Sequence, residues 1–283
     1  MNFDDQKWDT VIKAKHDPFS FDIRQIIEYR DLIFLFVKRD MAIAYKQTLL
    51  GPLWYLIQPI CTTIMCLIVF QNVANIGTEG IPPVLFYFAG TISWTFFGNL
   101  LTNEARVLSA NKEIFGKVYF PRLTVPISVF CGELIKLIIQ LVLFAPIYAR
   151  YIINGHPNII SIKLLLLPVI ILWTGIMAVG LGLIVSSITI RYRDLTKALS
   201  YFLSLFMYVT PVVYPLSEVS ENYRIFFKLN PVSALMECFR WVCFHTGTVS
   251  LRSVSYSIGC SIVFLTAGLI LFNRNEKTFI DVI

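Results

Sequence analysis

Charge is what this chain lacks. Asp, Glu, Lys and Arg make up only 15% of its 283 residues, where soluble domains average about 25%. No charged residue occurs in Gln47–Thr78, Gly80–Asn103, Leu164–Ile190, Ala198–Ser217 or Ser253–Asn273. A sixth apolar block, Leu123–Ala149, holds only Glu133 and Lys136. Catalytic signatures are missing as well. There is no GxxxxGK[ST] phosphate loop: Gly175 and Gly180 have its glycine spacing, but Leu181 stands where the lysine is needed. There is no HExxH and no GxSxG, and His16, His156 and His245 lie too far apart to suggest a metal site. The six cysteines contain no CxxC pair. Cys238 and Cys243 do not share a helix face, so no local disulfide is expected between them. Internal repeats are absent, and Met1–Lys15 has no apolar core beside its charges, so it does not read as a cleavable signal peptide. Together these absences exclude nucleotide hydrolysis by the chain itself, and they leave no room for a separate soluble catalytic domain.

What remains is hydrophobic. A bilayer core is crossed by about 20 apolar residues, and a backbone in lipid must satisfy its own hydrogen bonds, so the blocks are expected to be helices. Six spans follow, starting near Leu49, Pro83, Leu123, Leu164, Ala198 and Val254. The second ends near Leu101, the fifth near Pro211 and the sixth at Phe272. The expected fold is an all-α integral membrane domain over residues 22–283, preceded by a polar tail, residues 1–21.

Placement of basic residues sets the orientation. Lys7, Lys13, Lys15, Arg24, Arg30, Lys38, Arg39 and Lys46 precede the first span. Arg106, Lys112, Lys117 and Arg122 follow the second, Arg191, Arg193 and Lys197 the fourth, and Arg274 and Lys277 the last. Most of the 24 basic residues therefore fall on one side. The positive-inside rule makes that side, with both termini, cytoplasmic. The basic excess reads as topology and contact with anionic lipid, not as nucleic-acid binding.

Finer features attach to this frame. Asp22 and Gln25 form a capping box before a helix in which Ile23, Ile26, Ile27, Ile33, Phe34 and Val37 recur at helical spacing. Flanked by charges, that helix is expected to lie in the membrane interface. Gly175, Ala178, Gly182 and Ser186 form a small-residue stripe for close helix packing. Val212–Arg252 is too apolar for a solvated loop and too interrupted by proline to cross, so short re-entrant or interfacial helices are expected there.

Several stretches carry more specific information. Arg39-Asp40 precedes Tyr45-Lys46-Gln47-Thr48-Leu49-Leu50-Gly51-Pro52-Leu53-Trp54. Asn111 precedes Lys117-Val118-Tyr119-Phe120-Pro121-Arg122. Arg191-Tyr192-Arg193-Asp194 follows span four. Thr210-Pro211-Val212-Val213-Tyr214-Pro215 is followed by Leu229-Asn230-Pro231, then Glu237 and Arg240, and the chain ends Glu276-Lys277-Thr278-Phe279-Ile280-Asp281-Val282-Ile283. In this order, from about Arg24 onward, they resemble the permease subunit of type-2 ABC exporters for polysaccharides. These are the transporters of O-antigen, capsule and teichoic acid. The resemblance implies a homodimer in a bacterial cytoplasmic (inner) membrane, bound to two ATP-binding subunits that hold ATP and Mg. No cofactor is implied for this chain. The cargo would be a lipid-linked polysaccharide. Asn111, Lys117, Tyr119, Phe120, Pro121 and Arg122 would form the coupling element that docks on the ATPase. Lys38, Arg39, Tyr45 and Lys46 would belong to a gate helix.

Residue chemistry is compatible with these roles. Phe115, Tyr119 and Phe120 among charges offer aromatic anchors for a partner, or alternatively belt aromatics at the interface. Tyr55, Gln58 and Thr62 share a helical face, as do Tyr201, Ser204 and Tyr208, and as do Tyr87 and Thr91 with Thr95 and Asn99. Polar groups within spans face a cavity or another helix, and amphipathic rings stack on sugars. The same residues serve equally as helix–helix contacts. Glu133 and Lys136 neutralise each other at i,i+3, as a structural pair or an ion site near mid-membrane, about 15 Å into the span. A rival reading is a membrane glycosyl- or acyltransferase using a lipid carrier. It needs clustered acid and base groups, and Glu79, Glu218, Glu221 and Glu237 have no clustered partner. An ion-coupled carrier would show inverted repeats.

Overall fold

The computed structural model describes residues 23–46, 48–115, 120–153, 162–189, 192 and 194–281. All regular structure among them is helical. Ile23–Glu28 forms α1 and Arg30–Tyr45 forms α2, interrupted at Tyr29. A 3-10 turn at Gly51–Leu53 leads into α3, Trp54–Cys66, which widens into a π-helical stretch over Leu67–Val73. Then come α4 (Pro83–Glu104), the short α5 (Val107–Ala110) and α6 (Lys112–Phe115), and the 30-residue α7 (Thr124–Ile153). A 3-10 stretch at Ile162–Leu166 opens α8, Leu167–Thr189. α9 (Leu195–Val209), α10 (Glu221–Leu229), α11 (Pro231–Phe244) and α12 (Leu251–Asp281) complete the chain.

Five of these segments are long and apolar enough to cross a membrane: Gly51–Val73, Pro83–Glu104, Thr124–Ile153, Ile162–Thr189 and Leu251–Arg274. The remaining expected span, the fifth in chain order, is α9, which has only 15 residues. At 1.5 Å per residue it rises about 22 Å, short of a hydrocarbon core of about 30 Å. The proposed capping residue Asp22 and the tail before it lie outside the described residues.

The bundle is built around α4. Its residues from Leu85 to Trp94 are buried without interruption, the pattern of a helix enclosed on every side. α3, α7, α8, α9 and α11 all pack on it. Small residues let neighbours approach closely. The stripe on α8 faces α7 and α4, since a Cβ on Gly175 would meet Phe130 and one on Gly182 would meet Glu104. Gly180 lies off the stripe and brings α12 into backbone contact, as does Gly268 on α12 itself. Without a hydrophobic drive between helices in lipid, such close packing is the main attraction available.

α2 packs with a different face from the one its periodicity suggests. Tyr29, Leu32 and Phe36, at i, i+3 and i+7, join a second core cluster, and Ile27, Phe34 and Leu35 point outward. The helix is apolar on two sides, one against protein and one free.

Candidate functional site

At the end of the bundle that carries α2, α5 and α6, the residues expected to dock on a partner turn inward. Phe115 is 7% exposed and Phe120 5%. Their rings lie 5.7 Å apart, and Phe120 meets Phe36 of α2 at the same distance. The guanidinium of Arg122 lies over Phe115 at 5.6 Å, and that of Arg39 over Phe36 at 4.8 Å. Arg39 also donates to Asp40 (2.7 Å) and to Asn111 (3.1 Å). Asn111 in turn donates to the Val107 carbonyl (3.0 Å). The coupling and gate segments of the sequence analysis are thus one packed unit. Pro121 is partly covered, Lys38 is exposed, Tyr45 closes α2, and the Lys46 backbone N–H donates to the Ala42 carbonyl. Lys117 and Tyr119 lie outside the described residues.

Beside this unit lies a cavity of about 490 Å³ between α2, the end of α4, α5 and α7. Asn103 donates to Glu133 (2.7 Å), and Lys136 donates to the same carboxylate oxygen (2.5 Å). Asn103 is the second-last residue of α4. Glu133 is therefore level with the end of α4 and not at mid-membrane. The 30 residues of α7 rise about 45 Å, and its first turns overhang α4. The Lys136 ammonium also lies 5.2 Å from the ring centre of Tyr55, and Gln140 donates to the Tyr55 carbonyl (3.1 Å). The carboxyl of Glu104 is fully buried nearby, where it is not hydrogen-bonded.

The residues expected to line a path divide into two groups. Gln58 is exposed, the Thr62 hydroxyl donates back to the Gln58 carbonyl one turn earlier in its own helix (3.0 Å), and Ser204 does the same to the Ser200 carbonyl (2.9 Å). Tyr201 and Tyr208 are 76% and 55% exposed on α9. Phe70, in the π-helical stretch after α3, meets Tyr208 at 6.4 Å. Tyr87 and Thr91 belong elsewhere. Both are buried in α4, and Thr91 shares a hydrogen bond with Thr63 of α3 (3.1 Å). Within the protomer these two act as contacts between helices.

At the opposite end, two motifs from the sequence dock on each other. Asn230 caps α11 by accepting from Val232 N–H (3.0 Å), with Pro231 at the first helical position. Its amide donates to Thr210 (3.0 Å), which opens the turn after α9. Arg240 holds that turn from the other side. Its guanidinium donates to the carbonyls of Val212 (2.6 Å) and Tyr214 (3.4 Å) and to Glu237 (3.0 Å), and stacks on Phe86 at 4.2 Å. Glu237 also accepts from Thr248 N–H (2.8 Å). Thr210, Val212, Asn230, Glu237 and Arg240 are buried, Tyr214 is half-buried and Thr248 is exposed.

The order of helices, the short α9, and the turn clamped to a buried helix before the last span run through the region 31–244. Over those residues the chain matches the profile of the family described as ABC-2 type transporter. The chain belongs to the ABC-2 type transporter family. It is a multi-pass membrane protein. Relatives match nearly end to end. The O-antigen export system permease protein of Myxococcus xanthus is 25% identical over 92% of this chain and 98% of its own length. One from Klebsiella pneumoniae is 23% identical over 89% and 95%. The capsule polysaccharide export inner-membrane protein of Neisseria meningitidis is 20% identical over 90% and 95%.

Within this ABC-2 chain, sequence reasoning missed the junction of Phe36, Phe115 and Phe120 because three isolated phenylalanines carry no signal of mutual contact. It missed the cavity because Arg39, Asn111 and Glu133 sit on separate elements. The Glu133–Lys136 spacing was visible; its partner Asn103 was not.

Proposed function

We propose that this protein is the membrane-embedded permease subunit of an ATP-driven exporter that carries a lipid-linked, O-antigen-like polysaccharide from the cytoplasm to the outer face of a bacterial inner membrane. The observation that carries the reading is the near end-to-end match with O-antigen export permeases. The chain works as a homodimer with two ATP-binding subunits, which hold ATP and Mg and supply the work. It contributes the path and no catalytic group, so a transferase role gains no support from these relatives.

In this reading both termini are cytoplasmic, residues 22–283 form one transmembrane domain, and α9 with its following turn is the fifth of six crossings. α1 and α2 lie in the interface, with Ile27, Phe34 and Leu35 toward lipid. α10 and α11 re-enter the outer leaflet, where the buried position of α11 leaves little backbone to satisfy. Asn111, Lys117, Tyr119, Pro121 and Arg122 form the coupling element, and Phe120 is its inward anchor on α2. Lys38, Arg39, Tyr45 and Lys46 move with it as the gate. Tyr55, Gln58, Thr62, Tyr201, Ser204 and Tyr208 face the glycan, while Tyr87 and Thr91 brace α4 behind them.

Deleting the gene in its host tests the proposal. Lipid-linked glycan is expected to accumulate in the cytoplasm and to disappear from the cell surface, with rescue by the intact chain. Normal surface glycan in the deletion strain overturns it.

A further inference from the structure

The 490 Å³ cavity beside α2 has a mixed lining. Val37, Met41, Val107 and Val129 are apolar. Interleaved with them on the same elements stand Arg39, Arg106 and Lys136 against Asp40 and Glu133, a net charge of one positive unit. Both carboxylates are taken by a cation on their own helix, Asp40 by Arg39 at 2.7 Å and Glu133 by Lys136 at 2.5 Å. Arg106 is different. It is exposed at the rim, and among the described residues its guanidinium has no hydrogen bond or ion pair. Lys136 has three ammonium donors, and Arg39 five N–H groups, so both retain donors beyond those pairs.

An unpaired guanidinium, further cationic donors and adjoining apolar side chains suit an amphiphile with an anionic head. The depth is right for one. Glu133 lies level with the end of α4, a helix about as long as a bilayer core is thick, and Lys136 follows one turn along α7. A free sugar would leave the apolar side chains wet, and a cation would meet a positive field.

We propose that this cavity is a binding site for the phosphate headgroup of an anionic phospholipid, with Arg106 as its main contact and the α2–α7 wall receiving the start of its acyl chains. The headgroup bridges Arg39 on α2 to Lys136 on α7. Only its assignment to the cytoplasmic leaflet rests on the topology proposed above; retention in detergent does not, so the two fail separately.

The test uses the full-length chain purified in mild detergent, titrated with phosphatidylglycerol or phosphatidylcholine and read by native mass spectrometry. Phosphatidylglycerol should stay bound and phosphatidylcholine should not. Each unit of charge lost should weaken retention about fivefold, so Arg106→Gln should lose about fivefold and Arg106→Glu about twenty-five-fold. Arg252→Gln, an exposed arginine remote in the chain, should change nothing. Inorganic phosphate at millimolar concentration should not displace the lipid. Equal retention by wild type and Arg106→Gln overturns the site, and so does an equal loss in Arg252→Gln, which would mean a general surface charge effect. Displacement by inorganic phosphate overturns the lipid assignment and points to a soluble phosphate. If Arg106→Glu fails to elute as a folded species, Arg106→Gln decides alone.

Discussion

Arg240 is the residue on which most of one end of the molecule depends. It is 1% exposed and serves a carboxylate, two backbone carbonyls and an aromatic face at once. Removing one partner of a buried ion pair costs about 3–5 kcal/mol. Arg240→Ala should therefore unfold the turn after α9 and lower the melting temperature of the purified chain sharply. Joint replacement with Glu237→Leu usually restores such a pair. Here it should not, because the fully buried Val212 carbonyl remains without its donor. Full recovery in the double variant, measured by melting in detergent, contradicts this assignment. Phe120 makes a second residue-level case. As an external anchor it would matter only for partner binding; as a buried ring its truncation costs about 3–5 kcal/mol in the chain alone. Phe120→Ala should lower the stability of the isolated subunit, and an unchanged melt with lost ATPase binding is the opposite outcome. In the sequence Glu237 and Arg240 appear only as the end of an ordered motif, with Glu237 read as lacking a clustered partner; the structure corrects this by pairing the two at 3.0 Å. The carbonyl partners of Arg240 were not legible either, since an acceptor on the backbone leaves no mark on residue type.

At the scale of elements, the long charge-free blocks were legible because lipid excludes charge and fixes length. The starts of α4, α7 and α8 fall within a few residues of the expected points. The α8 stripe was legible as close packing, yet its partner was not. Gly175 and Gly182 face α7 and α4, and it is Gly180 that meets α12. Sequence spacing names a face of a helix but not what covers it. The prediction that follows is specific. A Cβ on Gly180 would stand 2.5 Å from the Leu265 nitrogen, and one on Gly268 would stand 2.5 Å from the Gly180 carbonyl oxygen. Both obstacles are backbone and cannot rotate away. Gly180→Val should separate α8 from α12 and reduce folded protein in the membrane, whereas Gly98→Ala, with nothing within 4 Å, should be tolerated. Equal yields for the two variants, by fluorescence size-exclusion, refute the close approach. The break at Tyr29 and the inward face of α2 were not legible, because a helix apolar on two sides has no single preferred face.

At the scale of the whole molecule, the proposed topology and dimer place the exposed tyrosines of α9 on the glycan path. Tyr201→Leu and Tyr208→Leu keep the apolar surface and remove the hydroxyl and the electron-rich, sugar-stacking face. The variants are expected to fold, bind the ATPase and export less or shorter glycan. Cysteine placed at either position, with native cysteines replaced, should react with a water-borne thiol reagent. Protection of both positions in every nucleotide state, together with normal export by the leucine variants, rejects the path. Orientation has its own check: a reporter fused after Ile283 should work only if it functions in the cytoplasm.

The turn held by Arg240 has one further consequence for such an exporter. In the proposed topology α9 ends before the outer surface, and a guanidinium takes the place of the water that the Val212 and Tyr214 carbonyls of the following turn would otherwise seek. The insulating layer is then thin along that helix, about 22 Å against about 30 Å elsewhere. A hydroxyl-rich polymer leaving beside it would be dehydrated over a shorter distance at any moment, with fewer sugar units out of water at once. In that topology the clamped turn at the end of the helix would lower the barrier for the proposed cargo without touching it at all.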